Sequence, residues 1–265
     1  MEFMNKGKAL KTIILCGGMG TRLREETEYH PKPLVEIGGK PILWHIMKIY
    51  SHYGFKDFIL CLGYKGEMIK EYFLNYEMLN SDFTIELGSK NIEIHDSHDE
   101  YGLKISLVNT GETTMTGGRV KKVGKFIDSE LFMLTYGDGV ANINISKLLE
   151  FHKSHGKIGT ITGVHPVSRF GEIVVRDSKV LSFAEKPQST EGLINGGFFV
   201  FNKEFLDYIE DSDDCVLEKD PMEKLVKDGE LMVYKHDGFW QCMDTYRDFI
   251  LLNNLWKKDP QWKVW

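Results

Sequence analysis

From its amino end, the chain alternates short apolar runs with longer amphipathic stretches. Leu10–Cys16 is apolar and runs straight into glycines, which predicts a buried first strand ending in a turn. Pro41 suits an early helical position and predicts a helix to about Tyr53. A second strand is expected at Asp57–Leu62 and a helix at Lys65–Tyr76. Ser81–His98 is polar and alternating, which reads as a hairpin-like excursion rather than core. Lys104–Asn109 and Leu131–Tyr136 predict strands, with a helix at Gly118–Phe126 between them. Ser146 is expected to cap a helix through His155. Further strands are expected at Ile158–His165, Gly171–Arg176, Val180–Ala184, Gly197–Phe201 and the aromatic stretch Gly238–Met243. Pro221–Asp228 and Thr245–Trp256 read as helices. Such alternation predicts an α/β protein: a Rossmann-like wound mixed sheet flanked by helices, with a small β excursion. No repeat or long linker interrupts it. Residues 10–265 are therefore expected to form one domain, and residues 1–9 a disordered tail or vector-derived remnant.

Composition narrows the function classes. The 265 residues are 42% hydrophobic, enough for a full core, and carry a formal charge of −6. Nucleic-acid domains usually show a basic face, so nucleic acid is not an expected partner, and any phosphate must be held by local cations. The apolar run Thr12–Cys16 is far too short to span a membrane. The four cysteines, Cys16, Cys61, Cys215 and Cys242, have no CxxC or zinc-like spacing. They read as reduced, mostly buried thiols, which fits a cytoplasmic protein.

The chemistry concentrates after the first strand. Leu15-Cys16-Gly17-Gly18-Met19-Gly20-Thr21-Arg22 is followed shortly by Pro31-Lys32-Pro33. Glycines allow close backbone approach and leave N–H groups free for anionic oxygens. Arg22 and Lys32 add positive charge where a polyphosphate would lie. The prolines on either side restrict the backbone that carries Lys32. A dinucleotide fingerprint would need a third glycine where Leu23 stands, and a P-loop would need Gly-Lys-Ser/Thr where Gly20-Thr21-Arg22 stands. Both readings fail. A loop at the end of a sheet strand is nevertheless where α/β proteins bind ligands.

Two aspartates are candidates for a metal. Asp138 follows an apolar strand between Gly137 and Gly139, and Asp244 follows the aromatic strand. Mg²⁺ usually takes one or two protein carboxylates plus phosphate oxygens and water. Each aspartate could equally be a turn or cap residue. Arg119, after Thr116-Gly117-Gly118 at a predicted helix start, is either an anion contact or a support for the helix. His152 and His155 lie one turn apart without a third ligand and read as a solvated face. Trp256, Trp262 and Trp265 suggest packing or oligomer contacts.

These stretches resemble the sugar-1-phosphate nucleotidyltransferases. The resemblance runs from Leu10 onward and includes Val35-Glu36-Ile37-Gly38-Gly39-Lys40-Pro41, Thr114-Met115-Thr116-Gly117-Gly118-Arg119 and Tyr136-Gly137-Asp138-Gly139. It continues through Arg169-Phe170-Gly171, Glu185-Lys186-Pro187, Asn195-Gly196-Gly197 and Met243-Asp244-Thr245. Glu25-Glu26-Thr27 after Arg22-Leu23-Arg24, Thr-Gly-Gly-Arg at 116–119 and the Trp-Lys-Val-Trp tail are similar to the cytidylyl branch. The resemblance implies the nucleotide-diphospho-sugar transferase fold, CTP and a sugar 1-phosphate as substrates, Mg²⁺ as cofactor, and a homo-oligomer. It also implies roles. Arg22 and Lys32 would be catalytic. Leu15, Cys16, Gly17, Gly18, Met19, Gly20, Thr21, Arg22, Lys32, Thr113, Gly118, Arg119, Gly137 and Asp138 would hold the nucleotide. Asp138 and Asp244 would hold the metal. Arg169, Gly171, Glu185, Lys186, Asn195 and Gly196 would hold the sugar phosphate. The chain departs from the family pattern at His165–Ile173 and in the excursion Asp82–His98.

Overall fold

The computed structural model describes residues 9–89, 91–95, 100–166, 172–184 and 192–265. Seven strands form the central sheet: β1 (Lys11–Cys16), β2 (Asp57–Leu62), β3 (Lys104–Asn109), β4 (Leu131–Tyr136), β5 (Gly159–Val164), β6 (Ile194–Asn202) and β7 (Leu231–His236). Their order is β7-β5-β6-β4-β1-β2-β3. β1 is parallel to β2 and β4, β2 to β3, and β5 to β7. β6 is antiparallel to both β4 and β5, so the sheet is mixed, as expected. From β1 the chain first builds outward through β2 and β3, then returns to place β4 on β1's other side. That reversal leaves a crevice at the carboxyl ends of β1 and β4, where wound sheets bind ligands.

The alternation of strand side chains divides the core. Ile14, Leu60, Met133 and Phe198 face one layer, with α1 (Ile42–His52). Ile13, Ile59, Leu134 and Phe199 face the other, with Val120 and Val123 of α3 (Thr116–Val123), which follows α2 (Gly66–Leu74). Further helices are α4 (Ile145–His155), α5 (Asp220–Lys227) and α6 (Tyr246–Lys258). The excursion is a hairpin of Phe83–Glu86 and Asn91–Ile94, exposed along both strands. Among the described residues, no helix is long and apolar enough to cross a membrane.

Several expectations are corrected. Asn144, not Ser146, caps α4, accepting from the Lys147 amide at 2.9 Å. α3 starts at Thr116 rather than Gly118, so Arg119 lies inside it. His152 is buried rather than solvated, with Nδ1 2.9 Å from the Thr160 hydroxyl and Nε2 3.0 Å from Asn202 Oδ1. β6 begins at Ile194, so Asn195–Gly197 lie on a strand. β7 is a strand beyond those expected, at an edge of the sheet and with no fully buried residue.

The carboxyl-terminal tryptophans pack inward. Trp262 is fully buried, and Trp256 and Trp265 stand against His45 with ring centroids 4.8 and 6.1 Å away. Both His45 nitrogens are engaged: Nε2 lies 2.9 Å from the Ile37 carbonyl, and Nδ1 accepts from the Trp262 indole at 3.3 Å. This arrangement fits neutral imidazole, and burial lowers the His45 pKa to about 4 despite backbone bonds that favour the cation. The folded pKa is depressed, so the contribution of His45 to stability is full above the unfolded value near 6.5. It is lost as pH falls toward 4. Urea titrations from pH 6.5 to 4.5 should therefore show wild type losing stability faster than His45→Gln by up to one proton's worth, about 1.4 kcal/mol per pH unit. Parallel slopes would remove His45 as the cause.

Candidate active site

The site is built on the turns that leave β1 and β4. Gly17 cannot carry a side chain: a Cβ there would lie 2.1 Å from an Arg119 guanidinium nitrogen. Gly18 is open, with nothing within 4 Å of such an atom, so its backbone is free to meet a ligand. Gly20 has φ +62°, a conformation suited to glycine, and leads into the 3-10 turn Thr21–Leu23. Thr27 fastens that turn by donating its hydroxyl to the Gly20 carbonyl at 3.0 Å. Gly137 packs under β1, its amide donating to the Leu15 carbonyl at 3.1 Å; a Cβ there would sit 2.7 Å from that oxygen. The turns after β1 and β4 are thus pinned together.

A cavity of about 270 Å³ opens between them. Leu15, Cys16, Gly17, Gly18, Lys32, Gly137 and Asp138 line it, all from the expected nucleotide set. Thr114, Met115 and Thr116 line its far side, whereas Thr113 is exposed beside them. Burial raises the Cys16 thiol well above its usual pKa, so no thiolate stands where phosphates would lie.

Lys32 closes one end. It sits in a short 3-10 turn, Lys32–Leu34, with Pro31 extended before it. Its Nζ donates to Asp138 Oδ2 and to Asp244 Oδ1, each at 2.7 Å. Arg22 reaches the other oxygen of Asp244 at 3.0 Å while its side chain stays 69% exposed. Burial works against the Lys32 ammonium, but the two carboxylates outweigh it and its pKa is raised. Burial likewise opposes the Asp244 carboxylate, and Lys32 and Arg22 hold its pKa below the usual value. The result is an alternating charge chain, Arg22–Asp244–Lys32–Asp138, at one end of the cavity.

Asp244 is held by the start of α6. Thr245 caps that helix in a capping box with Asp248. Asp248 Oδ2 also accepts from the Asp244 amide at 3.1 Å, and Oδ1 accepts from Gln241 at 3.2 Å. Asp138 is tied to the same segment: its carbonyl accepts from the Met243 amide at 2.8 Å.

A model of the nucleotidyl transferase family matches residues 11–258. The chain belongs to that family. This transferase is 51% identical over 258 residues to the glucose-1-phosphate cytidylyltransferase of Salmonella typhimurium, covering 97% of this chain and all of that one. The probable glucose-1-phosphate cytidylyltransferase of Bacillus subtilis is 47% identical, with the same coverage. Among solved structures, a putative glucose-1-phosphate thymidylyltransferase from Bacillus anthracis superposes with a TM-score of 0.70 at 18% identity. That match covers 94% of this chain and 96% of the other, and it supports the fold.

The remaining expected residues divide clearly. Arg119 lines the cavity wall, but its guanidinium is spent inside the transferase. It donates to the carbonyls of Leu62, Gly111, Gly17 and Glu112 and to the Thr110 hydroxyl at 2.7–3.2 Å. It is 4% exposed and braces the loop, which favours support over anion contact. Gly118 is also structural: its amide donates to the Cys215 carbonyl at 3.1 Å, away from the cavity. Met19 and Thr21 are exposed on the loop. Asn195 uses Nδ2 on the Tyr136 hydroxyl and Oδ1 on the Gly197 amide, and the Gly196 carbonyl accepts from the Trp240 indole at 2.7 Å. These groups are therefore engaged within the fold. Arg169, Gly171, Glu185 and Lys186 lie outside the described residues.

Glu218 was missed in the sequence. Its two oxygens accept from Tyr136 at 2.5 Å and Thr116 at 2.7 Å, bracing two residues that line the cavity. No motif flags it, because it lies in the plain acidic stretch before α5.

Proposed function

We propose that the protein transfers the cytidylyl group of CTP to α-D-glucose 1-phosphate, giving CDP-glucose and pyrophosphate. The observation that carries the chemistry is the Lys32 ammonium, held 2.7 Å from both Asp138 and Asp244 at the end of a glycine-walled cavity. The near-full-length likeness to glucose-1-phosphate cytidylyltransferases supports the substrate pair.

A phosphate oxygen of the sugar phosphate attacks the α-phosphorus, and the bond to the pyrophosphate breaks in line. The acceptor is already a nucleophile, so no covalent enzyme intermediate is needed. The work is alignment and neutralisation of charge. Open backbone at Gly18 receives the nucleotide, and Thr114–Thr116, on the far wall, would read the base. Lys32 exchanges a carboxylate partner for an α-phosphate oxygen and offsets charge as bonds form and break. Arg22 assists from the loop edge.

Mg²⁺ fits the donor set. One ammonium touches both carboxylates, so Asp138 and Asp244 converge on a common point, and Mg²⁺ takes one or two carboxylates beside phosphate oxygens and water. When bound, the ion would supply positive charge to the phosphate oxygens. Asp138 and Asp244 would hold it.

The test is pyrophosphate release with Mg²⁺ across CTP, UTP, dTTP, ATP and GTP against several sugar 1-phosphates. Release confined to CTP with glucose 1-phosphate is expected. Release with another sugar would refute the acceptor assignment and direct attention to His165–Ile173. Bound nucleotide with no release from any pair would favour a sensor. In the same assay, Asp138→Ala should nearly abolish turnover while its melting temperature stays close to wild type. Unimpaired turnover would remove Asp138 from the mechanism.

A further inference from the structure

The stretch 212–218, just before α5, lies along the start of α3 as a strap. Three bonds fasten its main chain there: the Met115 amide donates to the Asp213 carbonyl at 2.7 Å, the Gly118 amide to the Cys215 carbonyl at 3.1 Å, and the Leu217 amide to the Thr116 hydroxyl at 2.9 Å. Lys122 adds an ion pair with Asp213 at 2.6 Å. The approach is close. A Cβ on Gly117 would fall 2.7 Å from the Cys215 sulfur, and one on Gly118 would fall 2.5 Å from the Ser212 carbonyl oxygen. Thr114–Thr116, the chain entering α3, form the far wall of the nucleotide cavity, so the strap holds that wall in place.

Glu218 ends the strap and spans further. Its Oε2 accepts from the Thr116 hydroxyl at 2.7 Å, and its Oε1 from the Tyr136 hydroxyl at 2.5 Å. Thr116 belongs to the far wall, whereas Tyr136 ends β4, two residues before Asp138. We propose that Glu218 is a positioning residue for the nucleotide: its carboxylate ties these two walls and holds the cavity at the width of a pyrimidine nucleotide. The proposal rests on the nucleotidyl transfer proposed above, and it adds a residue that acts through two others.

The bonds suit a carboxylate. An ionised carboxylate only accepts, and both partners come to it as donors. Each hydroxyl oxygen is also engaged as an acceptor: Thr116 takes the Leu217 amide, and Tyr136 takes Asn195 Nδ2 at 3.1 Å. Both hydroxyl protons are thus directed at Glu218. Burial, with the Glu218 carboxylate beside it, raises the Tyr136 pKa, so the phenol keeps the proton that the tie requires.

A tie sets a distance only when both its ends are fixed. The Tyr136 ring stands edge-on to Phe199, with centroids 5.7 Å apart. It also lies so close to Gly197 that a Cβ there would sit 2.5 Å from a ring carbon. The Thr116 end is fixed by the main-chain bonds of the strap. Without Glu218, both hydroxyls keep their other partners and the strap keeps its main-chain bonds. The fold should therefore persist while the cavity loses its set width.

Steady-state kinetics and CTP calorimetry test the tie. Glu218→Ala should raise KM for CTP roughly 5- to 30-fold, part of what two hydrogen bonds to a charged group are worth, with KM for the sugar 1-phosphate within about twofold of wild type. The preference for CTP over ATP, as a ratio of kcat/KM, should fall, because a cavity without a set width discriminates less against a larger base. Glu218→Gln keeps the length and should recover part of the loss. Glu218→Asp is one carbon short, cannot meet both hydroxyls, and should recover little. These two variants keep the comparison valid whatever alanine does to the fold, which thermal melts report. Tyr136→Phe removes the other end of the tie, so Glu218→Ala should add little to KM for CTP in that background. Calorimetry of CTP should rank the variants in the same order without needing turnover. Unchanged CTP affinity in folded Glu218→Ala, a KM rise shared equally by the sugar phosphate, or independent effects of Glu218→Ala and Tyr136→Phe would overturn the proposal. A wild type that binds CTP yet releases no pyrophosphate from any pair fails the transfer reading alone, and the calorimetry still decides the tie.

Discussion

Lys32→Ala should lower kcat for pyrophosphate release by about three orders of magnitude while leaving a folded protein. One well-placed donor to a developing oxyanion is worth roughly 10²–10³ in rate, and Lys32 carries a full charge. It also has no substitute in place. Arg22 touches the same carboxylate, Asp244, but its side chain is 69% exposed against 12% for Lys32, so solvent screens it more. Loss of the ammonium leaves Asp138 and Asp244 facing each other. Both retain some contact with water, so their repulsion should cost far less than a buried unpaired charge. Lys32→Met, which keeps the stem, serves as the packing control and should be equally slow. Stopped-flow or coupled pyrophosphate assays beside a thermal melt give the answer. Near-wild-type turnover in either folded variant would remove the ammonium from the mechanism.

What the sequence made legible follows a physical line. The strands at the centre of the sheet are continuous apolar runs because both faces are buried, and β1, β2 and β4 stood out for that reason. β7 did not. It is an edge strand whose side chains are half-buried or exposed throughout, and its residues carry little of that signal. The cap of α4 was misplaced by two residues because Asn144 and Ser146 have similar cap preference, and the backbone chooses between them. In the site, the glycine loop was readable because its conformation needs glycine. The convergence of Lys32 with Asp138 and Asp244 was not: those partners lie 106 and 212 residues away, and only the fold brings them to one nitrogen. Glu218 escaped for the same reason. It is an ordinary charge in sequence, and it gains meaning from what lies across the cleft.

Arg119 shows the same limit in reverse, and it makes the second large prediction. An arginine beside a glycine-rich helix start reads as an anion contact, yet its donors meet four main-chain carbonyls and a hydroxyl. Those acceptors come from the ends of β1 and β2 and from the loop 110–112, so one guanidinium ties three segments behind the nucleotide cavity. Arg119→Ala should therefore act on stability. The Leu62 carbonyl keeps the Thr110 amide and hydroxyl and the Gly17 carbonyl keeps the Tyr64 amide, so the carbonyls of Gly111 and Glu112 are the ones left short. At roughly 1–3 kcal/mol for each, a loss of about 2–4 kcal/mol is expected in urea or thermal unfolding. Arg119→Lys should recover little, because a compact ammonium cannot span acceptors on both sides of the planar fork. Gly17→Ala attacks the same lock from the other side. Its Cβ would fall 2.1 Å from the guanidinium, which is held too firmly to move aside. If Arg119 were instead a phosphate ligand, Arg119→Ala would melt like wild type and lose only CTP affinity. A low melting temperature, with CTP affinity recovered in whatever fraction remains folded, identifies the arginine as the brace of the loop.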